Sequence, residues 1–412
     1  MIAEQTRTPS VDERLPEPRH VLFVTGEYPP MRGGVGDYTH CLSRALAELG
    51  VSCTVLTSHG ARQPAVRGPL EPLVLPAMPS WHIADLPLLL RLVRDVRPDV
   101  VHVQYQTGAF GMGPAVNLLF PVLRLRRARP LLAVTFHDLK EPYLFPKAGV
   151  VRRWANEVIR RRADLAFVTN GVDLAALGGE AGVLPIGSNV RRVPLDAEQR
   201  AAVRARLGIG ADEVAVGFFG FVDPWKGVDE LVAACERLWA DGRQVRLVFV
   251  GGVRAGGLEA MPAHERDIRA RLDASPWRGR VVRTGYASAE ETSAYLQALD
   301  VCALPFAAGA CYRHGSLMAA IEHALPIVTT VPDLAESSLG DRRVEPLVDG
   351  ENVLLVPRGN AGALADAIAR LSDDPTLRAR IADGATRLAP RFGWDQIART
   401  SLAAYERLLA RA

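Results

Sequence analysis

The sequence predicts an α/β chain made of two doubly wound domains, and three observations carry that reading. Short β-branched runs alternate with longer amphipathic segments from residue 20 onward. Several of these runs are almost continuously apolar, as parallel strands buried on both faces are. The alternation breaks once, in the polar stretch "SNVRRVPLDAEQR" (188–200), and then starts again. The chain of 412 residues is long enough for two or three domains with proper cores. Its 48% hydrophobic and 23% charged content is the balance such domains show.

The opening "MIAEQTRTPSVDERLPEPRH" is polar and lacks the apolar core of a signal peptide, so residues 1–18 are expected to be a disordered lead-in. Strands are then expected at 20–26, 51–57, 99–105, 131–138, 163–170 and 182–187, with helices at 35–49, 82–96 and 148–162. Right-handed crossovers of this kind build a doubly wound sheet. A second series follows at 214–220, 245–252, 280–285, 300–305, 326–330 and 352–357, and the tail from 360 to 412 reads as three helices. This gives a first Rossmann-like domain over 19–190, a second over 191–390, and a closing helix over 391–412. A cleft is expected between the two, with ligands at the carboxyl ends of strands near the switch point.

Several function classes fall away on composition. The net charge of +3 gives no basis for nucleic-acid binding. The five cysteines are scattered, without a C-x-x-C pair, which argues against a zinc site or a disulfide framework and fits a reducing, cytoplasmic compartment. No uncharged apolar run approaches the roughly 20 residues that span a bilayer. Basic clusters at 124–129 and 152–162 read first as solvated helix faces. Their sharper reading is peripheral contact with an anionic membrane at its inner face.

Four stretches carry chemistry. In "GEYPPMRGGVGDYTH", Gly33, Gly34 and Gly36 let backbone approach a ligand and open a helix whose N–H groups face outward. The spacing is not G-x-G-x-x-G, so no dinucleotide fingerprint is present. A tight turn is the plain alternative, but three glycines in four residues exceed what a turn needs. In "VTFHDLKEPY", His137 and Asp138 stand just past a buried strand; a lone histidine is more often structural than catalytic, but a place at a strand's carboxyl end favours function. In "FFGFVDPWKGVDEL", Lys226 stands between a strand and a helix, either as a surface lysine beside a turn or as a point charge for a diphosphate. In "CYRHGSLMAAIEHALPIVTT", Gly315, Ser316 and Leu317 would offer backbone N–H groups at a helix start, where the dipole adds about half a positive charge. Simple N-capping by Ser316 is compatible with that. The chain has no G-x-S-x-G, P-loop, H-E-x-x-H or D-x-D, and no metal site is expected.

The ordered set "EYPP…GGVG", "DVVHVQ", "TFHD", "GFVDPWKG", "GYAS" followed by "YLQALDVCALP", "ALPIVTT", "DGENVLLVP" and "RFGWDQIA…YERLL" resembles the retaining glycosyltransferases of family 4. The resemblance implies the GT-B fold, two facing Rossmann-like domains with a cleft between them. It implies a nucleotide-diphosphate sugar on the second domain, an unidentified acceptor on the first, and no cofactor, protein nucleophile or metal. It also implies donor-site roles for the Gly33, Gly34 and Gly36 loop, a donor-sugar contact for His137, a diphosphate contact for Lys226, and a final helix crossing back to the first domain. Two departures stand out. Phe221 occupies a position where the family usually has arginine, and Cys311 and Ala319 occupy the positions of its two E-x7-E glutamates. "YRHGSLMAAI" resembles instead a subset with an R-x-G-S-L loop. On that basis phosphate binding is expected to move to the Gly315, Ser316 and Leu317 backbone and Lys226. Arg313 or Arg254 would then replace the missing arginine. Glu322, one turn past Ala319, is either a ribose contact or a salt-bridged helix residue. Two other readings stay open, a non-catalytic sugar-nucleotide-binding module and a nucleotide-sugar epimerase or hydrolase of the same fold.

Overall fold

A computed structural model describes residues 20–31, 33–62, 68–139, 149–178, 181–251, 261–332 and 346–411. The chain divides into two compact units. One runs to Phe167 and takes back Ala398–Ala412; the other is Val168–Ile397.

Among the described residues the first sheet has seven strands: β1 (His20–Val24), β2 (Ser52–Ser58), β3 (Leu73–Met78), β4 (Val100–Tyr105), β5 (Leu131–Phe136), β6 (Leu165–Val168) and β7 (Gly182–Val183). Their order is β3-β2-β1-β4-β5-β6-β7. The pairs β1–β2, β1–β4, β2–β3 and β4–β5 are parallel. Every residue of β4 and β5 is buried, which is why those runs read as nearly continuous apolar sequence, with His102 and Gln104 the polar exceptions in β4. The order reverses between β1 and β4, and both the glycine stretch and His137 follow strands at or beside that point. The returning C-terminal stretch is fixed by a polar contact inside the core. His102 on β4 places Nδ1 2.6 Å from the buried Tyr405 hydroxyl and Nε2 2.8 Å from Thr135 Oγ1. Burial pushes the His102 pKa down to about 3, so the ring is neutral, with one nitrogen donating and the other accepting.

The second unit holds a sheet of β8 (Val214–Phe219), β9 (Val245–Val250), β10 (Val281–Arg283), β11 (Val301–Leu304), β12 (Ile327–Thr330) and β13 (Leu354–Val356). Its order is β10-β9-β8-β11-β12-β13, with every adjacent pair parallel. Here the switch lies between β8 and β11. Gly217 lets those strands pack under a helix end, since a Cβ there would meet Leu299 Cδ1 at 2.2 Å. Asp300, just before β11, accepts from Arg200 (2.9 Å), Arg204 (2.7 Å) and the Ala215 N–H (2.9 Å). That knot seats the helix Ala197–Arg206, whose start Asp196 and Gln199 cap reciprocally.

Several elements differ from the sequence expectation. The 82–96 helix opens with a tight 3-10 turn at Ile83–Asp85 before Leu86–Val96. The strand β3 was not foreseen, and the polar stretch at 188–200 runs into a helix rather than a plain linker. The expected tail helices are Ala361–Asp373, Pro375–Leu388 and Trp394–Leu409. No described helix is long and apolar enough to cross a membrane. Part of the basic sequence is ion-paired within the fold. Arg124 and Arg129 clamp Asp164 at 2.6 Å each, and Arg160 and Arg161 both hold Glu157.

Candidate functional site

In the second unit the residues past the carboxyl ends of β8 and β11 come together. After β8 the chain turns at Gly220 (φ 121°) and reaches a short 3-10 turn, Pro224–Lys226. Gly227 ends it at φ 67°, a left-handed conformation, and a Cβ there would lie 1.8 Å from the Pro305 carbonyl oxygen. Only glycine lets the turn sit against the loop after β11. The result carries Lys226 Nζ to 3.3 Å from Ser316 Oγ and 5.0 Å above the Phe306 ring. Burial lowers the Lys226 pKa, and the nearby Asp223 carboxylate partly offsets that.

Ser316 is the second residue of the helix Gly315–Glu322 and is buried. Gly315 and Ser316 are first-turn residues whose N–H groups have no intrahelical acceptor. The N–H of Leu317 already donates to the His314 carbonyl at 2.9 Å, and its side chain is in the core. Gly315 has open space where a Cβ would stand. His314, at the N-cap, stacks on Phe306 with centroids 3.8 Å apart, and its buried Nδ1 has no partner. Burial, then the Lys226 and Arg313 charges, push its pKa down to about 3. One cation, one hydroxyl, two helix-terminal N–H groups and an unpaired imidazole nitrogen therefore share one place. All the donors among them suit an anion held by charge-assisted hydrogen bonds.

The other second-domain residues singled out in the sequence lie elsewhere. Glu322 ends the same helix, roughly 10 Å along its axis from Gly315. Its Oε1 accepts the Arg192 N–H at 3.4 Å. Burial raises its pKa, while that hydrogen bond and the Arg191 and Arg192 charges lower it. The structure thus ties Glu322 to the 191–192 segment and does not bring it to Lys226 and Ser316. Ala319 is fully buried. Arg313 Nε lies 3.5 Å from Cys311 Sγ. Phe221 is exposed, and Arg254 lies outside the described residues.

In the first unit the glycine stretch opens the helix Gly34–Glu48, with Gly33 at the N-cap in extended backbone. The helix start already holds an anion of the chain's own. Glu27 Oε1 accepts the N–H groups of Val35 (3.0 Å) and Gly36 (3.2 Å). A Cβ on Gly33 would overlap that carboxyl at 2.0 Å, and one on Gly36 would press Tyr28 Cα at 3.0 Å. Gly34 has nothing within 4 Å and is exposed. Packing therefore accounts for Gly33 and Gly36, and Gly34 is the glycine left facing open space.

His137 follows β5, and its N–H donates to the Tyr105 carbonyl at 3.0 Å. Its Nε2 donates to Gln104 Oε1 at 2.8 Å, and the Tyr38 ring meets it edge-on at 4.6 Å. An amide oxygen only accepts, so Nε2 carries the proton and Nδ1 presents a lone pair. Burial holds the pKa at about 3, which keeps the ring neutral. Gln104 is fully buried, and its Nε2 has no partner. The sequence reading missed Glu27, Gln104, Phe306 and His314. Each lies within a motif or next to one that was quoted, and only Glu27 and Gln104 carried a signal, as polar residues in or beside apolar strands.

Comparison with known proteins gives a consistent picture. The description "Glycosyl transferases group 1" matches residues 213–374, and "Glycosyl transferase 4-like domain" matches 33–194. A D-inositol 3-phosphate glycosyltransferase of Xylanimonas cellulosilytica is 28% identical over 404 residues, covering 90% of this chain and 91% of the relative. A 2-deoxystreptamine glucosyltransferase of Streptomyces kanamyceticus is 27% identical, with 90% and 98% covered. Among solved structures, a sucrose-phosphate synthase of Thermosynechococcus elongatus matches with TM-score 0.69 at 24% identity, covering 96% of this chain and all of the other. Anabaena HepE in complex with UDP matches with TM-score 0.70 at 18% identity, with 94% and 100% covered.

Proposed function

We propose, for a chain that belongs to the group 1 glycosyltransferases of family 4, retaining GT-B enzymes that move a hexose-type sugar from a nucleotide-diphosphate donor to an acceptor, that the donor diphosphate sits on Lys226, Ser316 and the first N–H groups of the helix Gly315–Glu322. The observation carrying this is the 3.3 Å approach of Lys226 Nζ to Ser316 Oγ at an uncapped helix start. That arrangement supplies anion binding without the two acids absent at Cys311 and Ala319, in the manner of an R-x-G-S-L loop.

In the transfer, the bond between the anomeric carbon and the diphosphate oxygen breaks while an acceptor oxygen bonds to the same face of that carbon. The acceptor's proton leaves with the departing diphosphate, and negative charge grows on the bridging oxygen. Lys226 and the helix N–H groups stabilise that charge more in the transition state than in the bound donor, which is what accelerates the step. The neutral His137 offers Nδ1 as an acceptor for a hydroxyl of the donor sugar. Gly34 leaves room for substrate beside the glycine turn.

UDP, bound by the Anabaena protein, heads the donor panel, followed by the other nucleotides. The two curated relatives are named for a cyclitol phosphate and an aminocyclitol, so a polyhydroxylated ring is the acceptor class to try first. Glycan and lipid-linked acceptors come next. Scattered thiols without a disulfide, four of them pushed up to about 12 by burial, support a reducing cytoplasmic setting. Incubation with nucleotide sugars, with released nucleoside diphosphate as readout, tests the proposal. Turnover in the parent and its loss in Lys226→Met support it. Binding without turnover across these acceptors favours the non-catalytic module.

A further inference from the structure

A cavity of the first unit lies at the opposite end of its sheet from His137. It has a volume of about 990 Å³ and is walled where strands begin: Asp99 precedes β4, Leu131 opens β5 and Asp164 precedes β6. His137 follows the carboxyl end of the six-residue β5, roughly 20 Å away along the strand. Seven arginines and two aspartates line this bowl, in a chain whose whole net charge is +3.

Three of the seven arginines are engaged within the chain: Arg94 Nε lies 3.4 Å from Asp95 Oδ1, and Arg124 and Arg129 have ordinary structural work. Helices ending at Val96, Leu123, Arg162 and Leu409 bring their negative dipole ends to this region, and arginine is the usual complement. Arg124 donates to the carbonyls of Arg162 (2.8 Å) and Ala163 (3.3 Å) and to Asp164, and Arg129 donates to Pro130 O (3.0 Å) and Asp164. Asp99 accepts the His20 N–H at 2.9 Å. That leaves Arg97, Arg126, Arg127 and Arg411, all exposed, with no carboxylate partner among the described residues. Arg97 adds an independent sign. It caps the helix Leu86–Val96 at φ 51°, a left-handed position where glycine is the unstrained choice. The sequence places a cation there at a backbone cost of about 1 kcal/mol.

We propose that this bowl is a second anion site, separate from the transfer chemistry, for a phosphate-rich ligand with two or more phosphate groups. Guanidinium forks bind phosphate oxygens bidentately, and four unpaired ones match the charge of two phosphates. The volume falls in the range of small-molecule sites, and Val93, Leu123 and Leu408 supply an apolar floor for an organic part. The same chemistry is offered by a free polyphosphate and by a lipid headgroup.

Inorganic tripolyphosphate, titrated calorimetrically into the full chain at low salt, is the probe. The comparison is between the parent, Lys226→Met, and the triple variant Arg126→Ser/Arg127→Ser/Arg411→Ser, whose changes are all on exposed side chains. The expected result is binding in the parent, retention in Lys226→Met, and at least about a tenfold loss in the triple variant, with its glycosyl transfer and melting temperature unchanged. No binding in the parent, equal binding in the triple variant, or loss in Lys226→Met alone would each overturn the site. Vesicles with and without phosphatidylglycerol distinguish the source. Capture of the parent by anionic vesicles, relieved by tripolyphosphate and absent in the triple variant, assigns the phosphate to a lipid. Tripolyphosphate binding without capture assigns it to a free ligand.

Discussion

Replacing Lys226 by methionine keeps the side chain's length and removes its charge. Two unit charges about 4 Å apart at an effective dielectric of about 20 interact by about 4 kcal/mol. Only the part that grows as the leaving oxygen gains charge accelerates the reaction. Losing one preorganised donor of this kind costs about 3 kcal/mol, or about two orders of magnitude in kcat/KM. Stability should move the other way. Burial lowers the Lys226 pKa, so the folded chain binds that proton less tightly than the unfolded chain. The charged lysine therefore destabilises the fold at every pH below its folded pKa, and the penalty is relieved only as pH rises past that value. At pH about 7 Lys226→Met should melt no lower than the parent while its turnover collapses. Nucleoside diphosphate release, followed alongside a thermal melt, reads both. A rate within threefold of the parent, or a parallel loss of stability and rate, would refute the reasoning.

Other substitutions separate the remaining roles. Gly227→Ala should destabilise the second unit by about 3 kcal/mol in a denaturant titration, because its φ is 67° and its Cβ would meet the Pro305 oxygen at 1.8 Å. Gln104→Glu puts a carboxylate where the amide oxygen lies 2.8 Å from His137 Nε2. It should raise the imidazole pKa from about 3 by about 1–3 units, so that activity requiring the neutral ring gains an acidic limb in the pH–rate profile that the parent lacks. Glu322→Ala should leave the donor KM unchanged and lower stability by about 1 kcal/mol, through loss of its bond to the Arg192 N–H. Glu27→Ala should cost about 1–2 kcal/mol by uncapping the helix that begins at Gly34, seen as a lower melting temperature.

Much of this was legible where one physical signal acted alone. Runs such as "HVLFVTG" and "VRLVFVGG" are apolar because both strand faces are covered, and they become β1 and β9. The strand β3 escaped notice because Pro76 lies inside it, and proline in a strand is tolerated at the sheet edge, where β3 is. The helix Ala115–Leu123 carries Pro121 and was missed for a similar reason. At the site, Lys226 and Ser316 were each chosen on local grounds, but their meeting across 90 residues is a property of the β8–β11 switch. Glu27 shows the limit most clearly. Glycines that read as an opening for a ligand phosphate also make room for the chain's own carboxylate, and composition does not tell the two apart. For Glu322 the sequence left a ribose contact and a paired helix residue both open, and the partner it has in the fold, the Arg192 N–H, is 130 residues away and beyond the reach of helical periodicity.

The claim that the Gly-Ser turn and Lys226 hold the donor diphosphate is tested most directly by a crystal structure with a bound nucleoside diphosphate. The account predicts phosphate oxygens within hydrogen-bond distance of Lys226 Nζ and of the Gly315 or Ser316 N–H. A diphosphate ordered on the chain but away from those groups would contradict it.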